Sequence, residues 1–289
     1  MPRLAFVDGR YVPLATAAVG VEDRGLQFAD SIYEVVAVLN GHLLDWPAHV
    51  ERLARNLGEL AIPAPLGDAA LSQIARRLLA ANRAREALLY LQVTRGSARR
   101  DHVYGPALRP TLVMTVRPFD FAQRIGQQAA GVGVVTVPDE RWSRCDIKTT
   151  GLLANVRAKQ AARGAGGFEA WLVGDDGTVA EGGSTNAWLV TGDGSLVTPP
   201  LSPRLLPGVM RGAVLEAARA RQIAVVERPF TVAEAHGAAE ALITSTTVPV
   251  LPVVRIDGVA VGDGRPGPVA ARLAAAVWER IAAQTGYCP

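Results

Sequence analysis

Two lysines, Lys148 and Lys159, stand among the 30 basic residues of this chain. An ammonium can lose its proton and attack a carbonyl carbon, whereas a guanidinium keeps its charge under ordinary conditions. A position that must form a covalent bond through nitrogen therefore cannot be given to arginine. Lys159 lies in NVRAKQAAR, a helical run with its charges on one side, and reads as a solvated helix residue. Lys148 closes GVGVVTVPDERWSRCDIK, which starts as a β-branched strand and passes Trp142 and Cys145. Local sequence leaves both a chemical role and a surface position open for it.

Other segments offer groups that an amine could work with. Glu181 sits in VAEGGSTN, a Gly-rich loop between two strands. It is either a solvated turn residue or a carboxylate partner for a cationic ring nitrogen, which would keep that ring electron-withdrawing. PGVMRGAV (207–214) puts Gly208 and unpaired amides at a helix start, a natural phosphate site, and TSTT (244–247) ends a strand with hydroxyls and amides. Each of these is weak alone. Arg52, on the helix HVERLARN, reads as a solvated residue unless the fold brings it to the same phosphate. TRGSARRDH gathers Arg95, Arg99, Arg100 and His102, either as an exposed basic loop or as a trap for a carboxylate, with Tyr33 as a possible phenol donor. His42, His49 and His236 have no metal-ligand spacing, so no metal role is expected. There is no strand-anchored GxGxxG, no GxxxxGK[ST] and no GxSxG, which argues against a nucleotide enzyme or a serine hydrolase.

These groups need a scaffold. Asp8-Gly9 and Asn40-Gly41 mark two hairpins. WPAHVERLARNLGELAI reads as an amphipathic helix with Val50, Leu53, Leu57 and Leu60 on one stripe and Pro47 in its first turn. A second helix, LGDAALSQIARRLLAANRA, and the strands ALLYLQVTRG and RPTLVMTVRPF complete an N-terminal α+β domain, 1–118, with a mainly antiparallel sheet. Residues 119–124 are expected to be an interdomain linker. Alternating strands and helices from 125 to 289 predict a second, α/β domain.

Composition sets the outer limits. The chain has 289 residues, 49% hydrophobic and 20% charged, enough for a sizeable core. A net charge of +3 with no dense basic block gives no nucleic-acid surface. The two cysteines, Cys145 and Cys288, predict no disulfide framework. With no signal-peptide layout and no apolar run near ~18 residues, the expected compartment is a reducing cytoplasm, with no membrane partner.

Taken in order, DRGLQFADSIYEVV, HVERL, VTRGSARRDH, RCDIKTTGLLANVRAKQAA, EGGSTN, PGVMRG and TSTT resemble the motif series of class IV aminotransferases, the fold-type IV pyridoxal 5'-phosphate enzymes. The likeness covers nearly the whole chain and is strongest to the transaminases of D-amino acids. It implies an α/β (α+β) fold of two domains with the cofactor at their interface, the second domain a pseudo-barrel. It implies that Lys148 joins the cofactor aldehyde and later moves the Cα proton, and that Glu181 pairs with the pyridine nitrogen. Arg52, the backbone of Val209 and Met210, Thr246 and Thr247 would hold the phosphate, and Leu206 would lie against the ring. Tyr33, Arg100 and His102 would bind the substrate carboxylate; Arg100 is preferred to Arg99 because it stands two residues before His102. In the family, that Arg and His come from a neighbouring subunit, which implies a homodimer. The implied substrates are a D-amino acid and a 2-oxo acid. A branched-chain L-amino acid or (R)-amine transaminase, or an aminodeoxychorismate lyase, shares the fold. A non-catalytic binder would not need both Lys148 and Glu181.

Overall fold

The computed structural model describes residues 3–288, which divide into two compact units. The first holds the residues up to Asp120 together with Ile147–Gly151 and Gln284–Tyr287; the second holds Phe121–Asp146, Leu152–Ala283 and Cys288. No helix among the described residues is long and apolar enough to cross a membrane.

Turn chemistry organises the first unit. Strands β1 (Leu4–Val7) and β2 (Arg10–Pro13) meet at Asp8-Gly9. After helix α1 (Arg24–Phe28), β3 (Ser31–Leu39) and β4 (His42–Leu43) meet at Asn40-Gly41. Asn40 and Gly41 both take positive φ, 51° and 80°, as the expected type I′ turn requires. Helices α2 (Trp46–Glu59) and α3 (Asp68–Asn82) follow, then β5 (Ala87–Thr94) and β6 (Thr111–Pro118). The sheet is antiparallel, in the order β2-β1-β6-β5-β3-β4. Its core joins Ile32, Val36 and Val38 of β3 to Leu89, Leu91 and Val93 of β5 and to Leu53 and Leu57 of α2. Ile147 enters the same core, and Ile32 pairs with Thr149 as an antiparallel bridge. The segment around Lys148 therefore belongs structurally with residues more than a hundred positions earlier.

In the second unit the stretch expected as a linker is largely helical. Only Phe119 and Asp120 intervene between β6 and α4 (Phe121–Ala130). Buried Phe121 anchors this helix, and Gln128 Nε2 donates to the Val250 carbonyl at 2.5 Å. Phe121, Ile125 and Ala129 recur at helical spacing along it, a short stripe of the kind that marks a helix. Next come β7 (Val132–Pro138), α5 (Leu153–Gly164), β8 (Glu169–Val173), β9 (Val179–Gly182), β10 (Asn186–Val190) and β11 (Leu196–Thr198). Then α6 (Val209–Ala220), β12 (Val225–Glu227), α7 (Val232–His236), β13 (Glu240–Ser245), β14 (Val248–Ile256), β15 (Val259–Ala260) and α8 (Pro268–Thr285) complete the chain. The sheet runs β12-β11-β10-β13-β14-β7-β8-β9, with β15 on β14 and parallel pairs at β11/β12, β14/β7 and β7/β8. The Gly182 amide donates to the Thr185 carbonyl at 2.7 Å, so β9, at one end of this path, turns directly into β10 near the other. The sheet is thus curled. Trp171, Trp188 and Phe230 are buried in this unit.

Buried Glu240 holds the start of α8 through the Val269 and Ala270 amides, both at 2.8 Å. Glu240→Ala removes both acceptors and is expected to cost about 1–2 kcal/mol of stability, read as a lower urea midpoint for the transition followed by tryptophan fluorescence.

Candidate active site

Lys148 is half-buried, with Nζ 4.2 Å from the centre of the Tyr33 ring, and among the described residues it has no carboxylate partner. Its backbone is held: the Tyr33 amide donates to the Lys148 carbonyl at 3.0 Å, and the Ser31 and Thr150 hydroxyls share a short hydrogen bond. Tyr33 stacks on Tyr90 with centroids 5.6 Å apart. Burial, with the adjacent Tyr33, pushes the Tyr90 phenol up to about 12, so it stays neutral. The other lysine differs from expectation. Lys159 Nζ donates to fully buried Glu169 at 3.0 Å and is 38% exposed, so it is a structural counter-ion and not a freely solvated residue.

Arg52 is likewise no solvated helix residue. It is 8% exposed and sends Nε and Nη2 to the two oxygens of Glu34 at 2.8 and 2.6 Å. His49 Nδ1 also meets Glu34, at 2.8 Å. Burial alone would raise the Glu34 carboxyl, but the Arg52 guanidinium and the His49 ring overcome it and hold it down at about 2. Sequence reading missed Glu34. The available signal was a carboxylate in the apolar strand SIYEVVAVL, matched by His49 and Arg52 three residues apart on one helix face.

The segment after β5 carries Arg99, Arg100, Asp101 and His102, all exposed. The Arg100 guanidinium carbon and the His102 ring lie 5.2 and 5.5 Å from the Phe28 ring. Arg95, counted with them from sequence, is buried and pairs with Asp30, so it leaves the exposed cluster. Tyr33 thus contacts Lys148 and Tyr90, while Arg100 and His102 contact Phe28.

The remaining candidates converge in the second unit. Glu181 is on β9 and not on a loop: Glu181 pairs with Leu172 of β8, and this pairing overrides the loop-like Gly182-Gly183 that follows. Its carboxylate is buried, and both of its oxygens accept hydrogen bonds. Arg141 Nη1 makes a short contact to Oε1, and Asn186 Nδ2 and the Leu206 amide each donate to Oε2 at 3.1 Å. Burial works against the Arg141 cation, but its bond to Asp139 and the Glu181 charge more than offset that and raise its pKa. Asn186 also donates to the Leu206 carbonyl at 3.0 Å, fixing the segment that leads into α6. A Cβ on Gly208 would stand 2.1 Å from Asn186 Oδ1, so no side chain fits there. α6 opens at Val209, and by helix geometry its first amides have no partner within the helix. The Met210 side chain is buried, which leaves only its amide for a ligand. Asn186 pairs with Thr244, two residues before the tight turn Thr246–Thr247. Arg141 and Asn186 are further residues that sequence reading missed; nothing local marks them as partners of Glu181. Burial pushes the Cys145 thiol up to about 11, so it is no nucleophile at neutral pH.

A carboxyl whose folded pKa lies below its ordinary 4.5 stabilises the fold above that pH, and the contribution is lost as pH falls towards about 2. Glu34→Gln is expected to cost about 3–5 kcal/mol at neutral pH by removing the buried charge that Arg52 and His49 bind, and to flatten the loss of stability below pH 4.5. Thermal midpoints of both proteins against pH measure both effects.

Comparison with known proteins places the chain in a family. Residues 31–256 match the family model for amino-transferase class IV. The chain is 38% identical over 278 residues to a D-alanine aminotransferase of Bacillus licheniformis, covering 96% of this chain and 97% of that one. It resembles the branched-chain amino acid aminotransferase of Escherichia coli with a TM-score of 0.89 at 22% identity, covering 99% and 96% of the two chains. The T.th. branched-chain amino acid aminotransferase with pyridoxamine 5'-phosphate also gives 0.89, at 24% identity and 100% and 96% coverage. At those identities the structures speak for the fold alone. The sequence match and the fold together show that the chain belongs to the amino-transferase class IV family.

Proposed function

We propose that this chain transfers the amino group of a D-amino acid, such as D-alanine or D-glutamate, to a 2-oxo acid, pyruvate or 2-oxoglutarate, with pyridoxal 5'-phosphate as cofactor. One observation carries the reading: of two lysines, Lys159 is committed to Glu169, whereas Lys148 presents a half-buried amine beside Tyr33 with no acid among the described residues to neutralise it. The donor set fits the cofactor. Glu181, paired with Arg141, suits a protonated ring nitrogen, and the amides of Val209 and Met210 suit a phosphate. Arg52, Thr246 and Thr247 are assigned to the same phosphate and Leu206 to the ring face.

When bound, the cofactor supplies an aldehyde that takes up the amino group and a ring that accepts the electrons left at Cα. The protein's own groups do the rest. Lys148 Nζ takes the proton from Cα and returns one to the other end of the transferred system. Glu181 holds the proton on the ring nitrogen. Tyr33, Arg100 and His102 fix the substrate carboxylate, so that one face of Cα meets Lys148 and one enantiomer reacts. Arg100 and His102 serve the site of a second copy in a homodimer. That reading is supported by the exposure of both side chains and by exposed apolar residues, Val103 at 80% beside them in the chain and Val21 at 79%.

Single-turnover bleaching of the bound cofactor's visible band tests the activity. D-alanine is expected to bleach it, with Lys148→Ala inert; bleaching by L-leucine alone would move the assignment to branched-chain substrates, and protein left colourless after incubation with pyridoxal phosphate would reject it. Arg100→Ala is expected to raise KM for D-alanine by about 1.5–3 kcal/mol, roughly 10- to 150-fold, while Arg99→Ala stays near wild type. Steady-state kinetics of the two variants decide which guanidinium binds substrate.

A further inference from the structure

The motif DRGLQFAD has no role in the reaction above, yet it holds two buried arginines on one acid. Arg24 is 4% exposed. Its Nε donates to Asp30 Oδ2 at 2.9 Å, Nη1 to the Asp101 carbonyl at 2.6 Å and Nη2 to the His102 carbonyl at 3.2 Å. Its guanidinium lies 4.7 Å from the Phe28 ring and 5.1 Å from the Tyr104 ring. Arg95, 5% exposed, donates from Nε to the same Asp30 oxygen at 2.7 Å and from its other nitrogens to the Leu60 and Ala61 carbonyls. Its guanidinium stacks on Tyr104 at 3.8 Å. The backbone joins the two segments as well: Arg24 donates to Gly96, Arg95 to Asp30 and Ala98 to Glu22.

Residues 99–107 are exposed and form no helix or strand. A buried guanidinium that reaches up to two successive carbonyls of such a loop sets the planes of the 101–102 and 102–103 peptides. We propose that Arg24, braced by Asp30, is a positioning residue that aims Arg100 and His102 at the substrate carboxylate. This rests on the reading that those two side chains bind it. The geometry requires arginine: one planar group serves three acceptors in three directions, whereas an ammonium beside Asp30 cannot also span both carbonyls.

The test uses the cofactor-loaded enzyme with Arg24→Lys, Arg24→Met, Arg100→Ala and the double variant Arg24→Lys/Arg100→Ala. Arg24→Lys is expected to raise KM for D-alanine about tenfold with kcat within about twofold and the visible cofactor band unchanged; Arg24→Met does the same or worse. In the Arg100→Ala background Arg24→Lys has a smaller effect than in wild type, because the guanidinium it aims is gone. A general structural role would instead lower kcat, cofactor retention and thermal midpoint together, and would add fully to Arg100→Ala; either result overturns the proposal, as does unchanged KM. Failure to isolate both Arg24 variants with cofactor bound also counts against it. If Arg100→Ala itself leaves KM unchanged, the carboxylate reading has failed, a result distinct from failure of Arg24 alone.

Discussion

Inside the second unit the buried Glu181 carboxylate forms an ion pair with the Arg141 guanidinium. An isolated carboxylate taken from water would protonate, and a neutral acid could not hold a proton on a ring nitrogen. Arg141 is in turn bound by Asp139 and the Arg204 carbonyl, while Asn186 and the Leu206 amide occupy the second Glu181 oxygen. The charge and its direction are both set before any ligand arrives, and such preorganisation is what makes a buried charge useful. Gly208 belongs to the same constraint, since only a residue without Cβ lets Asn186 stand where Glu181 and Leu206 need it.

The device recurs in the first unit. Glu34 is held by Arg52 and His49, and Asp30 by Arg24 and Arg95. Arg52 directs the fork of its guanidinium to both Glu34 oxygens, whereas Arg24 and Arg95 each bind Asp30 and further backbone carbonyls at once. Buried pairs of this kind give little net stability, because desolvation offsets most of the attraction. What they contribute is position: Arg52 is fixed beside the strand that carries Tyr33, and Arg24 ties an irregular loop to a defined turn. In a chain so rich in arginine, the lysine that is not consumed as a counter-ion is the one available for covalent chemistry.

Much of the scaffold was legible. Asn40-Gly41 announced its hairpin because few residue pairs tolerate positive φ twice in a row, and the apolar stripe of α2 announced the face that packs on the sheet. Helix α4 carries a short legible stripe, Phe121, Ile125 and Ala129, whose start falls in the expected linker, and strand β9 was hidden because its hydrogen bonds come from β8 across a turn. The motif series put forward Lys148, Glu181 and the α6 start as candidates. Arg141 and Asn186 stayed hidden because they act on Glu181 through space, from another loop and another strand.

The order of motifs alone was enough to determine the family and to single out the amine and the acid proposed for the cofactor ring, because these depend on residue type. Which charges are neutralised, which are exposed and which way they point was decided by folding. The segment Ile147–Gly151 joins the N-terminal sheet, Arg95 turns inward to Asp30, and Lys159 finds Glu169. Those outcomes depend on burial and on contacts between residues distant in the chain, and neither quantity exists until the sheets have formed.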